Sequence, residues 1–282
     1  MRNIVILLVF VLLFFPKDSF GIVKRDDITE QKYLVVERPE YLIDMPHEGH
    51  GVLIKPNWIL TVAHEIFYDY TGKAIIVSGN SYKVDKVVIH SKYKKIPNTF
   101  LKGSSLPLME FNNNNNDIAL IRLTEPVKNR HPIEIYNKSD ELGKEIEIYG
   151  NGATGNGLSG QLLKTKTEKK LRYCRNTITE AKNNWLVYKF DEPSVALDLE
   201  GMHGSGDSGG PSIVYIDKTP YLVGLSAWQY INGKMGELIE GLYGTMAYQV
   251  RVSHYSNWIS NIVNENTSND NIKKGEIKSN PN

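Results

Sequence analysis

A chain of 282 residues with 33 basic and 32 acidic side chains carries a formal charge of only +1, so no net field draws it to nucleic acid or to an acidic membrane surface. Hydrophobic residues make up 41% of it, enough for a substantial core, and a single cysteine, Cys174, excludes an internal disulfide. Packing must hold the fold unaided.

The chain opens with Arg2 and then an unbroken apolar run from Ile4 to Phe15, followed by Pro16-Lys17-Asp18 and Ser19-Phe20-Gly21. A basic start, a short apolar run and small residues at positions −3 and −1 of a cut after Gly21 form the layout of a secretory signal peptide over 1–21. The run falls well short of the ~20 residues that cross a bilayer. The expectation is a secreted or periplasmic protein with no membrane anchor after signal removal. At the other end, residues 264–282 are polar and predict a disordered tail.

Between these ends, β-rich runs alternate with turn residues. Lys32–Val36, Gly51–Ile54, Trp58–Val62, Ala74–Val77 and Lys86–Ile89 read as strands, and so do Ile118–Leu123, Glu145–Tyr149, Trp185–Phe190, Ser212–Ile216 and Tyr221–Ser226. No long helical stripe interrupts them, which favours closed or sandwiched antiparallel sheet over βαβ units. One helix is expected, over 253–263, where Trp258, Ile259, Ile262 and Val263 share a face. Gly150-Asn-Gly-Ala-Thr-Gly155 matches a dinucleotide fingerprint, but further glycines follow where a helix should open, so a flexible surface loop is expected. The asparagine run Asn112–Asn116 reads as a loop. His47, His50, His90, His131 and His254 read as surface or loop residues.

The segment His203-Gly-Ser-Gly-Asp-Ser-Gly-Gly-Pro211 holds a serine among glycines. Glycine lets main-chain N–H groups be aimed where a side chain would clash, and an oxyanion formed by serine attack on a carbonyl needs two such donors. The natural pair is the N–H of Gly206 and of Ser208. Serine also needs a base, itself oriented by a carboxylate. Two apolar runs supply candidates: Trp58-Ile-Leu-Thr-Val-Ala-His-Glu65 ends in a histidine, and Asn115-Asn-Asp-Ile-Ala-Leu-Ile-Arg-Leu123 opens with an aspartate.

WILTVAHE, NNDIALIRL and GDSGGP, in that order, resemble the three signature segments of the chymotrypsin/trypsin-like serine proteases, here as a bacterial-type, disulfide-free member. An esterase of the α/β-hydrolase type would carry its serine first. The resemblance implies an all-β fold of two antiparallel six-stranded barrels with a C-terminal helix, spanning 22–263: barrel 1 over about 22–130, barrel 2 over about 131–252, the helix over 253–263. It implies His64 as base and acid, Asp117 as its orienting partner and Ser208 as nucleophile, with protein or peptide substrates, no cofactor or metal, and a monomer. It also implies that Asp207 pairs with the new amine of Ile22, which a cut after Gly21 would expose directly; a cut after Arg25 would leave Asp26, a poor partner. The substrate pocket falls on Met202, His203, Ala227, Trp228 and Gln229, with Ala247 on the far wall. Without an aspartate at Met202, strict Arg/Lys preference is not expected; an apolar or small side chain is, with His203 as the alternative route to an acidic one. A protease-like binding module without activity is the rival reading, although every triad and oxyanion residue is present. With an ordinary imidazole as base, activity is expected to fall as pH drops through ~6.5–7.

Overall fold

The computed structural model describes residues 21–162 and 170–265; residues 1–20 of the expected leader over 1–21 and residues 266–282 of the expected tail lie outside the described residues. Strands rich in Val, Ile and Leu assemble into two barrel-like sheets, one nearly closed and one a half-barrel, as expected of the all-β fold. The first sheet has six strands, ordered Leu42–Asp44, His50–Lys55, Trp58–Thr61, Ala119–Leu123, Asn80–Ile89, Ala74–Val77. Its outer hairpin closes at Ser78-Gly79, where φ angles of 50° and 77° make the two-residue turn that matches strand twist.

The second sheet runs Arg172–Thr177, Glu145–Gly150, Pro211–Ile216, Thr219–Gln229, Met246–Arg251, Trp185–Lys189, Glu180–Lys182, and Glu134–Ile135 adds to it alongside Thr219–Gln229. Two of these eight strands are short edge pieces. A small third sheet carries Ile22–Lys24 between Thr154–Asn156 and Gly201–Met202. Residues 22–24 are thereby sewn to the second half of the molecule.

One apolar cluster is common to both halves: Trp58, Leu60 and Leu120 of the first sheet pack with Tyr149, Ile213, Leu222 and Leu225 of the second. Tyr255, Ile259 and Val263 join it from the terminal segment, which is a 3-10 turn at Val252–Tyr255 and a helix over 256–265. The helix thus runs slightly into the stretch expected to be disordered. Two other expectations are corrected. Lys32–Val36 is no strand: Glu30–Tyr33 forms a 3-10 turn, Tyr33 alone is buried, and Val36 is fully exposed at 102%. The asparagine run is no plain loop, since Asn112 and Asn113 end an α-helix, Leu106–Asn113, with proline in its first turn. The Asn113 carbonyl then accepts Trp185 Nε1 at 2.9 Å and the Asn115 carbonyl accepts Asn184 Nδ2 at 2.5 Å, which fastens this segment to the second sheet.

The end of the second sheet is locked by a buried ion pair. Arg251 donates from Nε and Nη2 to the two oxygens of Glu141 at 2.9 and 2.8 Å, and Glu141 has no exposed surface. Burial acts to raise the Glu141 pKa, but hydrogen bonds from Arg251 and Ser253 outweigh it and hold the carboxyl below its ordinary range. Arg251→Ala strands that charge in the interior and should lower the unfolding free energy by about 3–5 kcal/mol at pH 7, read from the urea midpoint. The deficit should shrink in acid as Glu141 takes up a proton; an unchanged midpoint at pH 7 would mean the pair adds nothing.

Candidate active site

Strand register alone brings two of the expected residues together. Trp58–Thr61 lies antiparallel to Ala119–Leu123, with Thr61 opposite Ala119. The chain leaving Thr61 and the chain arriving at Ala119 are therefore neighbours, and His64 and Asp117 meet just beyond the sheet. Asp117 accepts the His64 backbone N–H at 2.8 Å through Oδ1 and faces Nδ1 at 2.5 Å through Oδ2. Two contacts to one carboxylate fix both the turn and the ring. Across the interface, His64 Nε2 lies 2.8 Å from Ser208 Oγ.

Ser208 stands in the turn before Pro211–Ile216, and the accounting of backbone donors there is informative. Gly204 N–H goes to Asp207 Oδ2 at 2.8 Å and Ser205 N–H to Gln161 Oε1 at 2.9 Å. Asp207, Gly209 and Gly210 donate to the carbonyls of Gly204, Ser226 and Asp207 at 3.1, 2.8 and 2.9 Å. Among the described residues, the N–H groups of Gly206 and Ser208 have no acceptor. They are the two expected from the sequence. Gly206 has φ +85°, and Gly209, at φ +73°, could not carry a Cβ, which would lie 2.0 Å from the His50 carbonyl.

This turn is held by Asp207, fully buried. Besides Gly204, it accepts the N–H of Gly152 at 2.6 Å and of Ile22 at 3.1 Å. Burial raises the Asp207 pKa, opposed by nearby His50 and by those three N–H donors. The glycine-rich segment read as a flexible surface loop is therefore corrected: Gly150 ends a strand against Asp207, where a Cβ would sit 2.1 Å from Oδ1. Its glycines serve close backbone approach. His50 is also corrected, from surface residue to 0% exposed, 3.2 Å from Asp44 through Nδ1 and accepting the Asn151 N–H at Nε2.

The cavity beside Ser208 is lined by His203, Ala227, Trp228, Gln229, Glu240 and, from the unforeseen helix, Leu108 and Met109. Met202 does not line it; it is fully buried in the second core, paired with Val23. Ala247 is likewise a core residue. Gln229 spans the cavity wall, donating to the His203 carbonyl at 2.8 Å and accepting the Gly241 N–H at 3.0 Å. Behind it, His203 Nδ1 meets Tyr188 Oη at 3.0 Å, and Nε2 is buried without a partner among the described residues. Burial holds the His203 pKa far down, at about 3, with the charge of His64 adding to it, so this ring is neutral.

His64 is the opposite case. Burial disfavours its charged form, yet the charge and hydrogen bond of Asp117, with Glu65 and Glu48 beyond, raise its pKa to about 9. The sequence expectation of ~6.5–7 took no account of this pile of carboxylates. Glu65 is not among the site residues expected from the sequence; it is 2% exposed and its Oε1 lies 3.6 Å from His64 Nε2. The only sequence signal was its position next to the histidine.

The family model described as Trypsin matches residues 40–259, and the chain belongs to this family of serine-type endopeptidases. Among similar proteins, Vitamin K-dependent protein C of Rattus norvegicus is 26% identical over 240 residues, covering 76% of this chain and 46% of that protein. Calcium-dependent serine proteinase of Mesocricetus auratus is 28% identical over 255 residues, 81% of this chain and 33% of that protein. Complement C1s subcomponent of Rattus norvegicus is 27% identical over 249 residues, with 78% and 33% covered. The chain matches less than half the length of each of these three.

Gly150→Ala should push Asp207 off its three donors and disorder the Gly206 and Ser208 amides. Loss of one such donor costs about 10²–10³ in kcat, and a fall of about that size is expected in hydrolysis of a peptide amide, with the fold preserved by circular dichroism. Full activity in the variant would mean that Asp207 does not govern the turn.

Proposed function

We propose that this chain is a secreted endopeptidase that cleaves peptide bonds through an acyl-enzyme on Ser208. The observation that carries the reading is the continuous line from Asp117 through His64 to Ser208, at 2.5 and 2.8 Å, ending beside two unspent main-chain N–H groups. His64 Nε2 takes the Ser208 proton as Oγ attacks the scissile carbonyl carbon. The oxyanion is received by the N–H of Gly206 and Ser208. The imidazolium then gives its proton to the leaving amine, and water, activated by the same nitrogen, releases the acyl group. Every group comes from one chain, so a monomer suffices.

The mature chain begins at Ile22 in this reading, the leader over 1–21 being removed on export. Among the described residues no helix is long and apolar enough to cross a membrane. One feature at the junction supports the cut. Ile22 has φ +73°, a region costly for a β-branched residue. Cleavage removes the preceding carbonyl and relieves this strain, and converts the N–H donor to Asp207 into an ammonium paired with a buried carboxylate. Export and activation become one event. N-terminal sequencing of secreted protein should read Ile22-Val23; any other start overturns this step.

The pocket favours a small P1 side chain, because Gln229 crosses its wall, held by the His203 carbonyl and the Gly241 N–H. Profiling with a peptide library should yield cuts after small residues and none restricted to arginine or lysine.

A serine-directed fluorophosphonate should label the protein, and Ser208→Ala should abolish labelling and lower turnover by roughly 10⁶. Absence of labelling in properly processed protein would instead favour a binding module that has kept the protease frame.

A further inference from the structure

His64 has a carboxylate at each end of its ring. Asp117 is at Nδ1, and Glu65 Oε1 is 3.6 Å from Nε2, the nitrogen that faces Ser208. Glu65 is not a surface side chain folded in by chance. It belongs to the 3-10 turn Ala63–Glu65, its backbone carbonyl accepts Tyr70 Oη at 2.9 Å, and the side chain is buried. Its Oε2 has no hydrogen-bond partner among the described residues. The space it fills exists because residue 49 is glycine at φ +75°: a Cβ there would lie 2.6 Å from Glu65 Cδ and Oε2 and 2.8 Å from the Ser208 carbonyl. Two positions, 49 and 65, are thus fitted to each other around a carboxylate that no structural hydrogen bond requires.

We propose that Glu65 is a positioning residue of the reaction, a second carboxylate partner of His64 at Nε2 that adds to Asp117 in favouring the charged ring and so shapes the pH dependence of turnover. The inference rests on His64 being the base. A negative charge beside Nε2 stabilises imidazolium, so more base is needed to free the ring; once the ring accepts the serine proton, the same charge stabilises the ion formed. Acid sensitivity and transition-state support then share one cause.

The groups facing this pair are Glu48 from the segment before His50, Asp117 from the opposite strand, the Ser208 hydroxyl, and His203, which is neutral. Burial first, then Glu48 and Asp117, raise the Glu65 pKa to about 7, against His64 and Ser208, which lower it. The pair therefore loses two protons on the way from acid to the active form. Activity needs neutral His64, so it rises with pH; the logarithmic limb should have a slope of two below about pH 7, where both groups are protonated, and one above it.

The test is the pH profile of kcat/KM for wild type, Glu65→Gln and Glu65→Asp on one peptide amide. Glu65→Gln keeps the shape and removes the charge: the limb should shift to lower pH by about one to two units, lose its second proton, and reach a lower plateau. Glu65→Asp should retain the two-proton limb. A folded Glu65→Gln whose limb stays in place with unchanged slope overturns the proposal. Should that variant fail to fold, the ring nitrogens of His64 are titrated by NMR in the inert Ser208→Ala protein. Two coupled steps support the proposal, and a single step at the ordinary imidazole value near ~6.5 overturns it. Failure of the underlying reading is distinct: wild type would then be unlabelled by fluorophosphonate at every pH.

Discussion

A fully buried carboxylate, Asp207, is the point on which the site depends. An ionised carboxyl inside a protein is tolerated only when donors replace the water it has lost. Here those donors are the N–H groups of Ile22, Gly152 and Gly204, from three separate parts of the chain. The compensation for one charge thus ties the Ile22–Lys24 strand, the Gly150–Gly155 segment and the serine turn into one unit. Only with Asp207 so anchored do the N–H groups of Gly206 and Ser208 lack internal work.

The same logic explains where the glycines fall. Gly150 would place a Cβ inside the Asp207 carboxyl, Gly209 inside the His50 carbonyl, and Gly49 against Glu65. At each place backbone must approach a charge or carbonyl more closely than any side chain allows. The turn around Ser208 is consequently braced from both halves, with the His50 N–H donating to the Ser208 carbonyl at 2.7 Å and Thr61 Oγ1 to the His50 carbonyl at 2.7 Å. His64 also follows a strand of the first sheet, so the interface between halves and the candidate site are built from the same contacts.

The long strands and two of the three signature segments were legible in the sequence because each holds an apolar run that follows from burial, whereas GDSGGP stood out by its glycines. Trp58–Thr61 is buried at all four positions and Ala74–Val77 alternates strictly. Arg172–Thr177 was not legible, because its inward positions are Arg172, Cys174 and Asn176, polar or neutral residues satisfied by tertiary partners that sequence cannot display. Strands of two or three residues, such as Gly201–Met202 and Ile22–Lys24, are too short for any period to register. The helix Leu106–Asn113 was missed for a related reason: eight residues with two buried side chains leave no stripe, and Pro107 was its sole sign. At the site, His64, Asp117 and Ser208, singled out by order and type, are brought together in the structure, whereas Met202 was placed in the pocket by counting alone and turns inward because its strand pairs with Val23.

Glu65, a residue with little sequence signal, adds its charge to that of Asp117 at His64. A site without disulfides could have filled the space between residues 49 and 65 with an apolar pair, which is often neutral or stabilising relative to buried charge. Instead the chain has a glycine and a glutamate there, leaving one carboxyl oxygen without a partner among the described residues. Burying an unpaired carboxyl oxygen costs folding free energy, and the charge it keeps acts on what lies beside it. What it acts on is in reach: the Nε2 of His64, through which every proton of the proposed reaction passes.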